Sequence, residues 1–155
     1  MQSEIYMNRK LNLSFEELKE EDLEAVRELY DAERPMNTNR EKMKKSFSNI
    51  KNNPDYRMIV VKIDEVIVGF ANVVIHHDIF EECNPFMTIW SVRVKREYRR
   101  LGVGTKLFEH IENVAKKMNC EFICLIAERE NIEANEFYKK LNYSCENGYV
   151  KMIKQ

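Results

Sequence analysis

The stretch that decides the fold is Arg99-Arg100-Leu101-Gly102-Val103-Gly104-Thr105. It lies between the apolar run 87–94 and a helical pattern that begins near Val103. The first N–H groups of a helix lack partners within the helix, and the peptide dipoles make that end positive, so an anion binds well there. Gly102 and Gly104 allow close approach of the backbone, Arg99 and Arg100 add charge around the rim, and Thr105 adds a hydroxyl. The arrangement favours a phosphate-binding turn, although an ordinary strand-to-helix connection would use the same residues.

The composition indicates a single globular domain over residues 1–155. The chain is 44% hydrophobic and 10% aromatic, which is enough to bury a core. The 25 Lys and Arg residues nearly balance the 26 Asp and Glu residues, so no net field would recruit nucleic acid or an anionic membrane. The four cysteines lack CxxC spacing, which indicates reduced thiols and neither a metal site nor a disulfide scaffold. Without a signal-like start or a run of ~20 apolar residues, we expect a cytoplasmic protein.

Hydrophobic periodicity predicts an alternation of strands and helices. An antiparallel meander that leads into a strand–helix–strand unit predicts an α/β (α+β) fold, with a mixed, mostly antiparallel central sheet and helices on both faces. The predicted strands are Ile5–Leu13, Tyr56–Ile63, Val66–Ile75, Phe86–Val94, Glu121–Ala127 and two closing strands within Tyr143–Ile153 around a turn at Asn147-Gly148. The predicted helices run from about Asp22 to Pro35, from Asn39 to Ile50, from Val103 to Met118 and from Ile132 to Leu141.

Four details of these elements are also predicted. Asp64-Glu65 joins two strands as a tight hairpin, although it is not the preferred Asn-Gly pair. Ser14 to Glu21 forms a polar connection. The strand that contains Trp90 is central and apolar on both sides, which favours Trp90 as a core residue over the alternative that it lines the acceptor pocket. The strand Glu121–Ala127 is predicted to be buried.

A second motif, Asn131-Ile132-Glu133-Ala134-Asn135-Glu136-Phe137-Tyr138-Lys139-Lys140-Leu141-Asn142-Tyr143, follows the strand at 121–127. With Arg99-x-x-Gly102-x-Gly104 and the approach Val92-Arg93-Val94, it resembles the GNAT superfamily of N-acetyltransferases, and the element order agrees over essentially the whole chain. The family pattern has N-x-x-A-x-x-F-Y-x-x-x-G-F/Y. Asn142 replaces the usual glycine, and asparagine also tolerates a left-handed turn.

The resemblance implies acetyl-CoA as co-substrate. Backbone groups of Val92, Arg93 and Val94 would hold its pantetheine arm as an added strand, at an edge suited to an amide-bearing chain. Asn131 would hydrogen-bond the arm, and Tyr138 would stand near the sulfur. The residues implied to cradle the pyrophosphate are Arg99, Arg100, Leu101, Gly102, Val103, Gly104 and Thr105.

The implied reaction is direct transfer of the acetyl group to a primary amine in a ternary complex. It requires a base for the amine, a hydrogen-bond donor for the oxyanion and an acid for the leaving thiolate. The resemblance implies that a backbone N–H near Val94 is the donor to the oxyanion. Tyr138 is the candidate acid, or else a packing aromatic. The strand before the turn carries no carboxylate at 88–91, so water is expected to carry the amine proton. The candidate terminal acceptors are Glu81 and Glu82, then Asp78, His76 and His77.

Other interpretations stay open at this point. A protein that binds acetyl-CoA or CoA without transfer, such as a sensor, would explain the missing strand carboxylate. A nucleic-acid binder is suggested by the basic run 93–100 but opposed by the neutral net charge. A nucleotide hydrolase is disfavoured because the turn lacks a Gly-Lys-Ser/Thr ending. The acceptor is a small-molecule or peptide amine that the sequence does not define. The sequence is also compatible with a homodimer.

Overall fold

A five-stranded sheet organises the computed structural model, which describes residues 11–32, 37–146 and 148–153. The spatial order of the strands is their order in the chain, and neighbours among the first four pair antiparallel. The strands are β1 (Leu13–Glu17), β2 (Tyr56–Ile63), β3 (Val66–His76), β4 (Phe86–Val94) and β5 (Ile123–Leu125). The helices are α1 (Leu23–Asp31), α2 (Arg40–Ile50), α3 (Val103–Lys117) and α4 (Ile132–Lys140), with short 3-10 helices at Glu20–Asp22 and Arg96–Tyr98. The chain divides into two compact units, Met1–Cys124 and Leu125–Gln155.

The predicted hairpin between β2 and β3 is confirmed. Ile63 pairs with Val66 across a two-residue turn, and both turn residues have left-handed backbones, with φ of 48° at Asp64 and 63° at Glu65. Positive φ at both positions is the geometry whose twist matches that of the flanking strands. The turn therefore forms without glycine, which explains why the weak sequence signal sufficed.

Helices cover both faces of the sheet in the larger unit. Val60 and Phe70 pair across β2 and β3 and belong to one buried cluster with Val26 and Leu29 of α1. Side chains of a strand alternate between faces, so Val61, which is also fully buried, lies on the opposite face. Phe15 pairs with Val61, and its ring stacks on His110 of α3 at 4.7 Å. The predicted layers are thereby confirmed.

Asparagines end two of the helices. Asn119 after α3 (φ 57°) and Asn142 after α4 (φ 65°) are both left-handed. After α4, the Tyr143 N–H donates to the Tyr138 carbonyl and the Asn142 N–H donates to the Lys139 carbonyl, which is the bonding pattern usual for a glycine-terminated helix. The tolerance expected of Asn142 is confirmed.

In the described part of the chain, no helix has the length and apolar character needed to cross a membrane.

The first strand lies further along the chain than predicted, and Leu13 is the residue that the predicted strand shares with it. Residues 5–10 of the predicted strand Ile5–Leu13 lie outside the described residues, and the segment 14–17, predicted as a polar connection, forms most of β1. Its acidic residues suit an edge strand because cross-strand cations balance them: Glu17 contacts Arg57 at 3.2 Å and Glu16 contacts Lys62 at 3.1 Å. The hydrogen bond to Glu16 raises the pKa of the buried Lys62.

Two predictions for the last third of the chain are also wrong. The predicted buried strand Glu121–Ala127 contracts to the three residues of β5, and Phe122 and Ile126 are 52% and 69% exposed. The described residues of 143–153 contain no strand, and Asn147 of the predicted closing turn lies outside them. Tyr149 is 99% exposed, so β propensity there is not supported by packing.

Candidate active site

The turn after β4 presents an uncapped helix N-terminus. Arg100 and Gly102 both have left-handed backbones, with φ of 58° and 83°, and α3 begins directly afterwards. Its first internal hydrogen bond runs from the Lys106 N–H to the Gly102 carbonyl at 3.0 Å. No side chain caps this end, and its first turn holds no acidic residue. The amides of Val103, Gly104 and Thr105 thus lie in a first helical turn that carries no carboxylate. Such a turn can donate its N–H groups to a phosphate without a competing negative charge.

Arg99 departs from its predicted role as a mobile charge on the rim. It has an extended backbone, and its Nε donates a hydrogen bond of 3.1 Å to the Val94 carbonyl. The side chain is partly buried, whereas Arg100 is exposed. Arg99 therefore ties the turn to the end of β4, and Arg100 is the arginine that fits the rim.

The end of β4 offers polar backbone groups on the side away from β3. The Lys95 N–H donates to the Val68 carbonyl at 2.8 Å, so the alternating groups of Val92 and Val94 face the other way. There, the Val92 carbonyl accepts from Arg93 Nη1 at 2.7 Å, as the Val94 carbonyl does from Arg99. The Arg93 and Arg99 side chains thus donate to the two outward carbonyls along this edge of β4, which is the edge next to β5 in the strand order.

A β-bulge at Trp90 precedes this edge. Asn72 pairs with Ser91 but Val73 pairs with Ile89, so Trp90 is the extra residue of β4. The interpretation of Trp90 as a core residue is wrong, because its side chain is 71% exposed. The bulge interrupts the regular alternation that the sequence pattern assumed, since the extra residue has no partner on β3.

An apolar cavity of about 240 Å³ lies between the first two helices and the sheet of the larger unit. Apolar residues such as Val26, Phe47 and Val60 line it, with Asn72 and Ser91 at the bulge. The Oδ1 atom of Asn72 is buried and has no hydrogen-bond partner among the described residues. Sequence reasoning missed Asn72. The signal was present, because it is the only amide side chain within the apolar strand 66–75.

The loop between β3 and β4 carries the predicted bases. Glu81 and Glu82 are exposed on a turn closed by the Cys83 N–H donating to the Phe80 carbonyl, and Glu81 has a φ of 52°. The Asp78 carboxylate accepts from two loop amides, those of Ile79 and Phe80.

The two histidines near this loop have side-chain partners. His76 Nε2 lies 2.9 Å from Thr88 Oγ1, and the ring stacks on Phe86 at 4.8 Å. His77 Nε2 lies 2.9 Å from Asp55 Oδ1. Both histidine rings therefore already have a side-chain partner.

The smaller unit holds the other two predicted site residues, one directly before α4 and one within it. Asn131 is the N-cap of this helix: its Oδ1 accepts from the Ala134 N–H at 3.1 Å, and its carbonyl accepts from Asn135 Nδ2 at 2.8 Å. Tyr138 is half-buried, with its ring centroid 5.6 Å from that of Phe137 and 6.3 Å from that of Tyr143. An aromatic cluster therefore sets the orientation of the Tyr138 phenol.

A family model matches most of this chain. The model described as "Acetyltransferase (GNAT) family" matches residues 23–143. The probable N-acetyltransferase san of Drosophila melanogaster is 51% identical over 47 residues, which are 30% of this chain and 26% of that relative. The chain thus matches about a quarter of that protein's length.

Two solved structures share the fold. A transcriptional regulator from Bacillus halodurans C-125 superposes with a TM-score of 0.81 at 24% identity, over 91% of this chain and 99% of that one. An aminoglycoside N-acetyltransferase in complex with CoA has a TM-score of 0.79 at 18% identity, over 96% of this chain and 98% of that one. At these identities, the likeness establishes the architecture.

Proposed function

Because this chain belongs to the GNAT acetyltransferase family, we propose that it transfers an acetyl group from acetyl-CoA to a primary amine, directly and within a ternary complex. The observation that carries the proposal is the uncapped start of α3 beside the outward-facing backbone of Val92 and Val94. One part suits a pyrophosphate and the other suits an amide-bearing arm. That a neighbour of the same fold was solved with CoA supports the choice of co-substrate.

The residues present fit this co-substrate. The left-handed backbone of Gly102 turns the chain into the helix, and a Cβ at this position would meet no atom within 4 Å, so space remains around the turn. Arg100, Leu101, Val103, Gly104 and Thr105 would complete the pyrophosphate cradle through backbone amides and the hydroxyl. Val92, Arg93 and Val94 would bind the arm, with Arg99 fixing the Val94 carbonyl.

Acetyl-CoA supplies an activated thioester, and the remaining chemistry falls to the protein. The amine nitrogen bonds to the thioester carbon, the C–S bond breaks, and the amine proton passes through water to a base. A backbone N–H near Val94 would stabilise the oxyanion. Tyr138 would donate its phenolic proton to the departing thiolate, Asn131 would contact the arm while capping its helix, and Glu81 or Glu82 would accept the proton from water.

The proposed acceptor is a small-molecule or peptide amine, and the proposed setting is the cytoplasm. Neither a metal nor a nucleic acid takes part in the proposed reaction. A homodimer, with which the sequence is compatible, is a further proposal that sedimentation can decide.

The test is calorimetric titration of acetyl-CoA into the purified protein, with ATP as a control that shares the adenine nucleotide but lacks the pantetheine arm. We expect saturable binding of acetyl-CoA and little of ATP. The same sample is then assayed for release of free CoA thiol with a panel of amines. Binding without release for any amine would instead identify a non-catalytic acetyl-CoA binder, and absence of binding would overturn the proposal.

A further inference from the structure

The cavity between the first two helices and the sheet ends where acetyl transfer is proposed to occur. Asn72 and Ser91 pair across β3 and β4, line the cavity and stand directly before Val92 in the register. A molecule lodged in this cavity would therefore place one end beside the strand edge proposed for the pantetheine arm.

Apolar groups dominate the walls of the cavity. Val60 and Ala71 of the sheet are at most 1% exposed to solvent, and Phe47 of α2 is 6% exposed. Met43 and Tyr30 pack against the same core cluster. The volume of about 240 Å³ is below the ~300 Å³ at which drug-sized pockets begin, so the enclosed group is small. Such walls stabilise a hydrocarbon body and offer little to a polar one.

The charges near the cavity oppose a second ammonium group. Among the described residues that line it, Arg27 is the charged one, and none is an aspartate or a glutamate. The nearby carboxylates already have partners: Glu24 Oε1 contacts Arg27 Nη2 at 2.7 Å, and Asp31 accepts from the Thr38 hydroxyl at 2.7 Å. A cation inside the cavity would lack the pairing that a desolvated charge needs.

At the polar end of the cavity, Asn72 offers a hydrogen-bond acceptor for a single amine group. The buried Oδ1 of Asn72 has no hydrogen-bond partner among the described residues, and an unpartnered buried acceptor costs free energy. An N–H of an incoming neutral amine would supply the missing donor. Asn72 would then act as a positioning residue, since it holds the nucleophile without exchanging a proton.

From these features, we infer that the acceptor is a primary amine with a small apolar body and no second positive charge. The inference rests on the proposed acetyl transfer and narrows its substrate class. Polyamines and aminoglycosides, which carry several ammonium groups, fall outside the class.

The experiment compares n-butylamine, n-hexylamine and spermidine with the full chain. Acetyl-CoA binding is measured first, which tests the proposed function separately. Amine binding to the CoA-saturated protein is then measured by calorimetry, and kcat/KM by thiol release. We expect affinity and kcat/KM to rise about fourfold for each methylene added to the alkylamine until the cavity is full. Spermidine should bind more weakly than n-hexylamine.

Two matched variants locate the effect in the cavity. Ser46 and Ser48 are both exposed on α2, but only Ser46 is among the residues that line the cavity. Ser46→Glu places a carboxylate at its mouth and should raise the spermidine-to-hexylamine ratio of affinities about threefold. Ser48→Glu adds the same charge to the same helix and should leave that ratio unchanged.

The outcomes test the substrate class separately from the proposed acetyl transfer. Equal or tighter binding of spermidine in the wild-type protein, or no dependence on alkyl length, would overturn the inference even where acetyl-CoA binds and is turned over. An equal response of the two serine variants would also overturn it. Failure of acetyl-CoA to bind would instead remove the proposed function, and with it the substrate class.

Discussion

The Nε atom of Arg99 donates a 3.1 Å hydrogen bond to the carbonyl oxygen of Val94, which joins the turn before α3 to the end of β4. Replacing Arg99 by alanine removes this tie. We expect Arg99→Ala to weaken acetyl-CoA binding about tenfold in calorimetry, because the cradle and the strand edge would no longer be held in register. Arg96→Ala, which removes the same charge from an exposed position, should change the affinity less than about twofold. Equal losses would show that charge alone matters.

A carboxylate in the first turn of α3 should separate stability from binding. Gly104→Asp places a negative charge where an anion is proposed to bind, so we expect acetyl-CoA affinity to fall at least about a hundredfold. The melting temperature should hold or rise, since an acid near a helix N-terminus is favourable. Gly148→Asp is the control for the same substitution elsewhere. Retained affinity in Gly104→Asp would rule out the phosphate cradle.

Removing the Tyr138 hydroxyl tests its proposed acid role. We expect Tyr138→Phe to lower kcat about a hundredfold, the usual contribution of a positioned proton donor, with acetyl-CoA affinity within about twofold of the wild type. Tyr143→Phe removes a hydroxyl from the ring neighbour of Tyr138 and should leave kcat nearly unchanged. Full turnover by Tyr138→Phe would assign that ring to packing.

The identity of the base is open to a pH-rate measurement. If either exposed glutamate accepts the proton, Glu81→Gln or Glu82→Gln should flatten the acidic limb of the kcat/KM profile, because the accepting carboxylate is gone. Glu121→Gln, at another exposed position, controls for the loss of charge. An unaltered limb in both variants would point to water alone or to His76 or His77.

The stability of the fold should decrease at low pH because Glu24 of α1 would lose its contacts with Arg27 and with Arg40 of α2, a cluster that joins the two helices. Hydrogen bonds from Arg27 and then Arg40 lower the pKa of Glu24 from 4.5 to about 2. A carboxyl whose pKa is lower in the folded state stabilises the fold above its unfolded pKa, and the contribution is lost as the pH falls toward the folded value. The free energy of unfolding measured in urea should therefore fall as the pH is lowered from 4.5 to about 2, and it should fall less steeply in Glu24→Gln.

Glu112→Gln serves as the comparison for that experiment, since Glu112 lies on α3, outside the cluster. An identical pH dependence of Glu24→Gln and the wild type would mean that the contacts of Glu24 with the two arginines do not persist in solution. Added salt should also reduce the difference between the two proteins, because the side chains of Arg40 and Glu24 are 64% and 47% exposed to solvent.

Much of the fold follows from local patterns. The helices at 23–31, 40–50, 103–117 and 132–140 and the strands at 56–63 and 86–94 are close to those predicted, because each has its own periodicity and end signals. The errors arise where tertiary contacts decide. The first strand contains Glu16 and Glu17, whose charges become acceptable only beside Lys62 and Arg57, far away in the sequence.

The candidate site was predictable to a similar degree. Gly102 and its neighbours were found because a helix start after a strand has a recognisable signature. The bulge at Trp90 depends on register with β3, and the hydrogen bond from Arg99 to Val94 depends on a side-chain direction, so neither is written in local sequence. The roles of Asn131, Tyr138 and the two loop glutamates stay predictions from the family resemblance.

The order of the sheet bears on how the chain reaches its fold. Each of the five strands lies next to its neighbour in the sequence. The strands β2, β3 and β4 follow one another through short connections, so their pairing costs little loop-closure entropy, which favours rapid folding of this part of the sheet. During synthesis, the meander of β1 to β4 leaves the ribosome before the turn at 99–105, so we expect the proposed cradle to form on a platform that is already assembled.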